Sequence, residues 1–283
     1  MTMVSPIREL AGVLRNGGWI LVFYLALAAM LVPTTILLSK QGASPGTPLQ
    51  ALMVVLASVA CLVLRREHPR QLLGGLPSWR SGVPIGLAGG VAIWGGTAML
   101  LWLSGDIAWQ WNDAGLQTLL SGLGDCLAVA VAEELLFRGF PFQRLIDGIG
   151  AWPAQIGMAC YFVLVHSAGL ATAGDLQYLA TANIFLASLL FGTLYLRTRS
   201  LALPLSLHFA LNFMQGPLLG FGVSGHGVES LMEPRMDDAM RLWTGGDFGL
   251  EASLPGTLAI FMALITVVFW TRNSSRKGLS NSP

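Results

Sequence analysis

Charged side chains are scarce in this chain, because Asp, Glu, Lys and Arg together make up only 11% of its 283 residues. Soluble domains contain about 25% of these residues, whereas 54% of this chain is hydrophobic and its mean hydropathy is +0.64. So few charges could not cover the surface of a soluble protein of this length. The composition therefore excludes a cytosolic globular enzyme and a disordered chain, and it indicates an integral membrane protein.

Cysteine is also rare. Cys61, Cys126 and Cys160 lie inside apolar runs without C-x-x-C spacing, so neither a disulfide framework nor a thiolate metal site is expected. We expect all three to be small buried hydrophobic residues. The chain also lacks an internal repeat, a soluble domain and a nucleotide-binding loop, and we expect no nucleic-acid partner.

Long apolar stretches dominate what is present, and a transmembrane helix needs about 20 mostly apolar residues. Candidate stretches in the sequence are Trp19–Leu38, Pro48–Leu64, Val83–Leu103, Leu116–Phe137, Ala151–Val165, Leu179–Leu196, Leu201–Gln215 and Leu254–Thr271. The sequence therefore predicts an all-α fold, a polytopic membrane helix bundle of about eight transmembrane helices. We expect one membrane domain over residues 1–283, surrounded by the lipid bilayer.

Lys and Arg indicate the orientation, since they concentrate on the cytoplasmic side of membrane proteins. With both termini cytoplasmic, only Lys40, Arg235 and Arg241 of the 16 Lys and Arg residues lie outside. The first stretch, flanked by Arg8 and Arg15, is longer than the apolar run of a cleaved signal peptide. We therefore expect an uncleaved anchor, cytoplasmic termini and a bacterial inner membrane.

Two features concern packing and loops. Gly86-x-x-x-Gly90 and the Gly95-Gly96 pair in the third stretch favour close helix packing. The segment from about Gly216 to Leu250 is acidic, and we expect a solvated outer loop rather than a domain.

Ionisable residues inside apolar stretches cost about 2.5–3.5 kcal/mol each on insertion scales, so they are functional candidates. Glu134 and Arg138 stand four residues apart with the acid first, the favourable order for a helical ion pair. Glu133 is rotated by about 100° from Glu134, lacks that partner and is suited to proton transfer. Alternatively, both acids belong to a buried polar network.

Two further pairs share a helical face by their spacing of four residues. Phe162 and His166 end the fifth stretch, and His208 and Asn212 lie in the seventh. A lone histidine such as His166 is more often structural. The alternative for His208 and Asn212 is hydrogen bonding that joins helices.

Other polar residues are weaker candidates. His68 and His226 fall in expected loops and belong to no group of polar residues, so we exclude them as site residues. Asp125, eight residues before Glu133, could line a cavity with it, but a structural role is favoured.

The three motifs, Glu133-Glu134-x-x-x-Arg138, Phe162-x-x-x-His166 and His208-x-x-x-Asn212, resemble the signature of a known family. It is the CPBP family of CAAX-protease and bacteriocin-processing intramembrane endopeptidases, also labelled Abi. The resemblance covers about residues 116–215, which would be a CAAX-protease-like catalytic core within the membrane domain. It implies hydrolysis of peptide bonds in membrane-associated protein or peptide substrates.

The resemblance also implies a role for each motif residue. Glu133 would be the general base that activates water, and His166 would hold or polarise that water. His208 and Asn212 would donate hydrogen bonds to the oxyanion. The remaining motif residues would support the site: Glu134, Arg138 and Phe162.

The sequence is compatible with either metal-dependent or metal-independent hydrolysis. The family is often named a metalloprotease, and Glu133, His166 and His208 could hold zinc with water in the fourth position. The same residues can act without a metal, and the chain has no H-E-x-x-H motif. We favour metal-independent chemistry.

Two other functions compete with the peptidase. A proton-coupled transporter would use the same polar residues near the midplane and would show pseudo-symmetry between the halves of the chain, but the polar motifs all fall in the second half. A non-catalytic membrane scaffold or immunity protein is the other alternative.

The peptidase interpretation requires a particular arrangement of two helices in the membrane. Glu133 and His166 must lie at one depth, so we expect the fourth helix to continue past Arg138 to about Ile146, with a kink near Pro141.

Overall fold

The computed structural model describes residues 6–113 and 115–279, which form a helix bundle. Its helices are α1 (Pro6–Ser39), α2 (Thr47–Arg65), α3 (Arg70–Leu73), α4 (Leu76–Gly90), α5 (Gly96–Leu103), α6 (Gly115–Phe137), α7 (Phe140–Ile149), α8 (Ala151–Val165), α9 (Ser167–Leu170), α10 (Gln177–Thr198), α11 (Ala202–Phe213), α12 (Arg241–Thr244) and α13 (Leu254–Leu279). Every apolar stretch singled out in the sequence is helical, which confirms the membrane helix bundle. Two π-helical segments, Val91–Gly95 and Met214–Leu218, join α4 to α5 and extend α11.

One small sheet interrupts the helical pattern, and sequence reasoning missed it. Strands β1 (Ile107–Trp111) and β2 (Met232–Met236) pair antiparallel. Because β2 lies in the outer loop, the pairing ties that loop to the connection between α5 and α6.

Among the described residues, four helical segments are long and apolar enough to cross a membrane by length and composition: Glu9–Ser39, Thr47–Arg65, Arg70–Ser104 and Gly174–Thr198. Ala151–Val165 and Leu254–Trp270 are shorter apolar helices. The helices α6 and α11, which carry the first and third motifs, are outside both groups. The number of full spans and the cytoplasmic termini therefore stay predictions.

The expected continuation of the fourth helix past Arg138 is wrong. Helix α6 ends at Phe137, and the separate helix α7 begins at Phe140. Gly139 forms the break, where a Cβ atom would lie 2.1 Å from the carbonyl oxygen of Leu135. Pro141 produces no kink, because it stands in the first turn of α7, where its missing N–H has no helical partner to lose.

The expected close packing is confirmed at Gly86 and Gly90 but is wrong at Gly96, where a Cβ atom would have no neighbour within 4 Å. A Cβ atom on Gly86 would lie 2.0 Å from the hydroxyl oxygen of Ser206, and one on Gly90 would lie 2.4 Å from the Cβ of Ala210. Helices α4 and α11 therefore touch backbone to backbone. This contact fixes the position of α11, which carries His208.

Two other expectations need correction. The outer loop is not simply solvated, because Phe221, Phe248 and Leu250 are buried against the bundle. Their apolar area favours packing over exposure to water. Cys61 and Cys126 are buried as expected, but Cys160 is exposed on the surface of the bundle.

Candidate active site

Glu134 and Arg138 form the expected ion pair at the centre of the bundle. The Nη1 of Arg138 donates to the Oε1 of Glu134 at 3.0 Å, and the two side chains are 1% and 0% exposed. The Nη2 of Arg138 also donates to the carbonyl and hydroxyl oxygens of Ser188 on α10, at 3.0 and 2.8 Å. The pair therefore joins α6 to α10.

His208 on α11 lies between the two glutamates. Its Nδ1 is 2.9 Å from the Oε1 of Glu134, and its Nε2 is 3.7 Å from the Oε2 of Glu133. The hydrogen bond to Glu134 assigns a proton to Nδ1 and fixes the orientation of the ring. Nε2 is thereby aimed at Glu133.

His166 approaches Glu133 from the end of α8. Its Nδ1 lies 2.7 Å from the carbonyl oxygen of Phe162, and its Nε2 lies 4.0 Å from the Oε1 of Glu133. The Glu133 carboxylate therefore has one imidazole near each of its oxygens. Both separations exceed the length of a direct hydrogen bond and suit a bridging water molecule.

Aromatic rings hold both histidines in place. Phe191 stacks on His208 with 4.8 Å between ring centroids, and Phe162 lies 4.4 Å from His166. The guanidinium of Arg138 lies about 5 Å from both phenyl rings, a distance typical of cation–π contact. Phe162 thus supports the site as expected, whereas Phe191 belongs to no motif.

A cavity of about 780 Å³ connects these groups. Glu133, His166, His208 and Asn212 all line it, so the expected site residues share one chamber. The Oε2 of Glu133 is buried and has no hydrogen-bond partner among the residues that the structure describes. An unpaired buried carboxylate oxygen is suited to accepting a proton from a bound molecule.

The same cavity corrects two weaker expectations. His226, excluded on sequence grounds, lines it, because the outer loop folds back over the bundle. Asp125 is exposed and also lines it. Neither has a described contact with Glu133.

The zinc alternative gains no support from the geometry. Within residues 6–113 and 115–279, no group of three or more His, Cys, Asp or Glu side chains has an arrangement that could hold a metal ion. Glu133, His166 and His208 therefore do not fit a preformed metal site, and we derive no step through a metal.

Glu251 is the main residue of the cavity wall that sequence reasoning missed. Its Oε2 accepts hydrogen bonds from the main-chain N–H and the hydroxyl of Ser224, at 2.7 and 3.0 Å. Burial raises the pKa of the Glu251 carboxyl, although those hydrogen bonds and the nearby His166 and His208 oppose the rise. Glu251 belongs to no spaced pair on a helix, so no sequence signal identified it.

The comparison with protein families matches residues 115–214 to the family described as Type II CAAX prenyl endopeptidase Rce1-like. The match covers about a third of the chain and ends just after Asn212. No curated protein and no solved structure matches the chain. The matched segment contains all three motifs and the helices that carry them. This segment is therefore similar to the CAAX-protease family that its motifs indicate.

Proposed function

We propose that the protein is an intramembrane endopeptidase that hydrolyses peptide bonds of membrane-associated protein or peptide substrates. One observation carries the proposal: the Glu133 carboxylate faces the Nε2 atoms of His166 and His208 at 4.0 and 3.7 Å in one cavity. The family match supports a peptidase. The roles of the individual residues are part of the proposal.

In the first step, Glu133 accepts a proton from a water molecule that His166 orients. The water oxygen bonds to the carbonyl carbon of the scissile peptide, and the carbonyl oxygen becomes an oxyanion. Glu133 is suited to this role because it is half-buried and its Oε2 has no hydrogen-bond partner among the described residues. Glu134 and Arg138 neutralise each other, so Glu133 is the member of the adjacent pair of acids that faces the cavity.

With His208 as the imidazolium, which carries a proton on both ring nitrogens, Nδ1–H donates to Glu134 and Nε2–H donates to the oxyanion. The side-chain amide of Asn212 is the second donor to the oxyanion. When the tetrahedral intermediate collapses, the carbon–nitrogen bond breaks and the proton on Glu133 moves to the leaving amine nitrogen. Each preorganised donor at an oxyanion contributes about 2.7–4 kcal/mol to transition-state stabilisation. The ring of His208, fixed by Glu134 and Phe191, meets the requirement for preorganisation.

The test is cleavage of a peptide library by the purified protein in lipid vesicles, with products identified by mass spectrometry. We expect Glu133→Gln to abolish cleavage, because an amide cannot take up the proton. Asp125→Asn is the matched control, since it removes an acid on the same helix and cavity but away from the histidines. In H₂¹⁸O, the new carboxyl end should carry one labelled oxygen.

Metal chelation is a second arm of the test, and we expect it to leave the rate unchanged. If Glu133→Gln cleaves as fast as the wild type, the assignment of Glu133 as the general base is wrong. If the wild type cleaves no peptide, the proposed function is wrong and a non-catalytic scaffold would be the better interpretation.

A further inference from the structure

A tight turn of the outer loop forms part of the cavity wall. In this segment, the Ser224 turn (residues 223–226), the main-chain groups of Val223 and His226 exchange two hydrogen bonds of 2.9 Å. Ser224 itself has φ +50°, a left-handed conformation that is uncommon for residues other than glycine. Contacts outside the turn must therefore help to hold it in this form.

Glu251 supplies such contacts. Its Oε2 accepts from both donors of Ser224, at 2.7 and 3.0 Å. Its main-chain oxygen accepts from the Nδ2 of Asn183 on α10 at 2.8 Å. Glu251 therefore connects the Ser224 turn to α10 through two hydrogen bonds of its side chain and one of its main chain.

The Ser224 turn also packs against α9, the helix that begins directly after His166. A Cβ atom on Gly169 would lie 2.2 Å from the carbonyl oxygen of Ser224, so turn and helix are in backbone contact. Helix α9 is linked to His166, because the N–H of Leu170 donates to the carbonyl oxygen of His166 at 2.9 Å. A displacement of the Ser224 turn would therefore also displace His166.

We propose that Glu251 is a positioning residue of the active site, which holds the Ser224 turn against α9 and thereby fixes His166 opposite Glu133. The inference rests on the proposed function, since it gives Glu251 a role in the same hydrolysis. His166 is fixed from two sides: Phe162 holds its ring through Nδ1, and the Ser224 turn holds the helix that follows it. A displacement of about 1 Å in such a site can cost about 100-fold in rate.

The test compares cleavage kinetics of Glu251 variants in lipid vesicles. We expect Glu251→Ala to lower kcat about 10- to 100-fold and to leave KM nearly unchanged, because the rest of the cavity still binds substrate. Glu251→Gln keeps an acceptor oxygen for both Ser224 donors and should retain most of the rate. A residue needed only for folding would lower the folded fraction alone, so kcat is calculated per folded protein, measured by gel filtration in detergent. Calculated in this way, kcat would stay at the wild-type value for such a residue.

Gly169→Ala tests the same contact from the other side. The new methyl group would push the Ser224 turn away and leave the Glu251 side chain intact. We expect a similar fall in kcat, and we expect the double variant with Glu251→Ala to lose little more than either single variant. Asp247→Ala is the matched control, because it removes an exposed carboxylate of the same loop, and it should behave as the wild type.

Two results would overturn the inference alone: Glu251→Ala as active as Asp247→Ala while Glu133→Gln is inactive, or Glu251→Gln as impaired as Glu251→Ala. If Glu251→Ala does not fold, Ser224→Ala replaces it. That variant removes one of the two donors to Glu251 and should lower kcat by a smaller factor, whereas an unchanged kcat would contradict the inference. If the wild type cleaves no peptide, the proposed function fails and the inference fails with it.

Discussion

Glu133 and Glu134 are adjacent in the sequence but differ in burial and in the groups that they contact. Glu134 is fully buried and contacts Arg138 and His208 at 3.0 and 2.9 Å. Glu133 is 25% exposed and faces the cavity. The rotation of about 100° between helical neighbours thus separates a structural acid from an acid available for chemistry.

This difference predicts that replacing Glu by Gln lowers the stability of the protein at one of the two positions and not at the other. Glu134→Gln leaves Arg138 as a buried charge without its counter-charge, so we expect it to destabilise the protein by about 3–5 kcal/mol. Glu133→Gln should leave the stability nearly unchanged, because no buried cation depends on it. Thermal unfolding of both variants in one detergent measures the difference. Equal loss of stability would contradict the assignment of roles.

Asn212 should act on the transition state alone. If it donates to the oxyanion, Asn212→Ala should lower kcat about 10²- to 10³-fold and change KM little. Thr181→Ala, which removes an exposed hydroxyl on α10 that donates to the carbonyl oxygen of Gln177, is the control and should keep the rate. Steady-state kinetics on one cleaved peptide separate the two constants. A rise in KM at constant kcat would assign Asn212 to substrate binding instead.

The residues of the three motifs could be predicted because each pair is spaced by one helical turn, and spacing on a helix determines which side chains share a face. The contacts of Ser188 and Ser224 could not be predicted in this way. Ser188 meets Arg138 across 50 positions of the chain, and Ser224 meets Glu251 across 27. Such contacts depend on how helices and loops pack, which no local pattern specifies.

At the scale of elements, the contact of α4 with α11 determines where His208 lies. Gly90→Ala would place a methyl group 2.4 Å from the Cβ of Ala210, so the helices must separate, at a cost of about 1–3 kcal/mol. Gly96→Ala is the matched control, since a Cβ there has nothing within 4 Å and alanine favours the helix by about 1 kcal/mol. We expect Gly90→Ala to lower both thermal stability and cleavage, and Gly96→Ala to lower neither. Equal behaviour of the two variants would contradict this packing.

The positions of the helices could be predicted well, because apolar stretches of sufficient length have few alternatives to helix in a membrane. The break between α6 and α7 was not predicted, because a continuous helix with a kink near Pro141 was expected, whereas the helix ends before Gly139. Proline is compatible with a first helical turn, and the close approach of Gly139 to Leu135 is visible only in three dimensions. The β1–β2 pairing was missed because it joins residues far apart in the sequence; Ile107 and Met236, for example, are 129 positions apart. A local pattern of hydrophobic residues cannot predict such a pair.

At the scale of the whole molecule, the distribution of Lys and Arg predicts cytoplasmic termini in a bacterial inner membrane. Lys40 follows α1 and Arg70 begins α3, and both are exposed. In a variant without the native cysteines, we expect a membrane-impermeant thiol reagent to label Lys40→Cys on intact cells. Arg70→Cys should react only after the membrane is opened. The reverse pattern would invert the orientation.

The central claim is that Glu133, His166, His208 and Asn212 act on one water molecule and one peptide carbonyl. An experimental structure in lipid, at a resolution that shows ordered solvent and with anomalous scattering recorded at the zinc edge, tests it most directly. The account predicts one water molecule about 2.6–3.2 Å from a Glu133 oxygen, within reach of the Nε2 of His166, and no anomalous peak. A zinc ion held by Glu133 and both imidazoles, or a Glu133 carboxylate turned into a different pocket from the imidazoles, would contradict it.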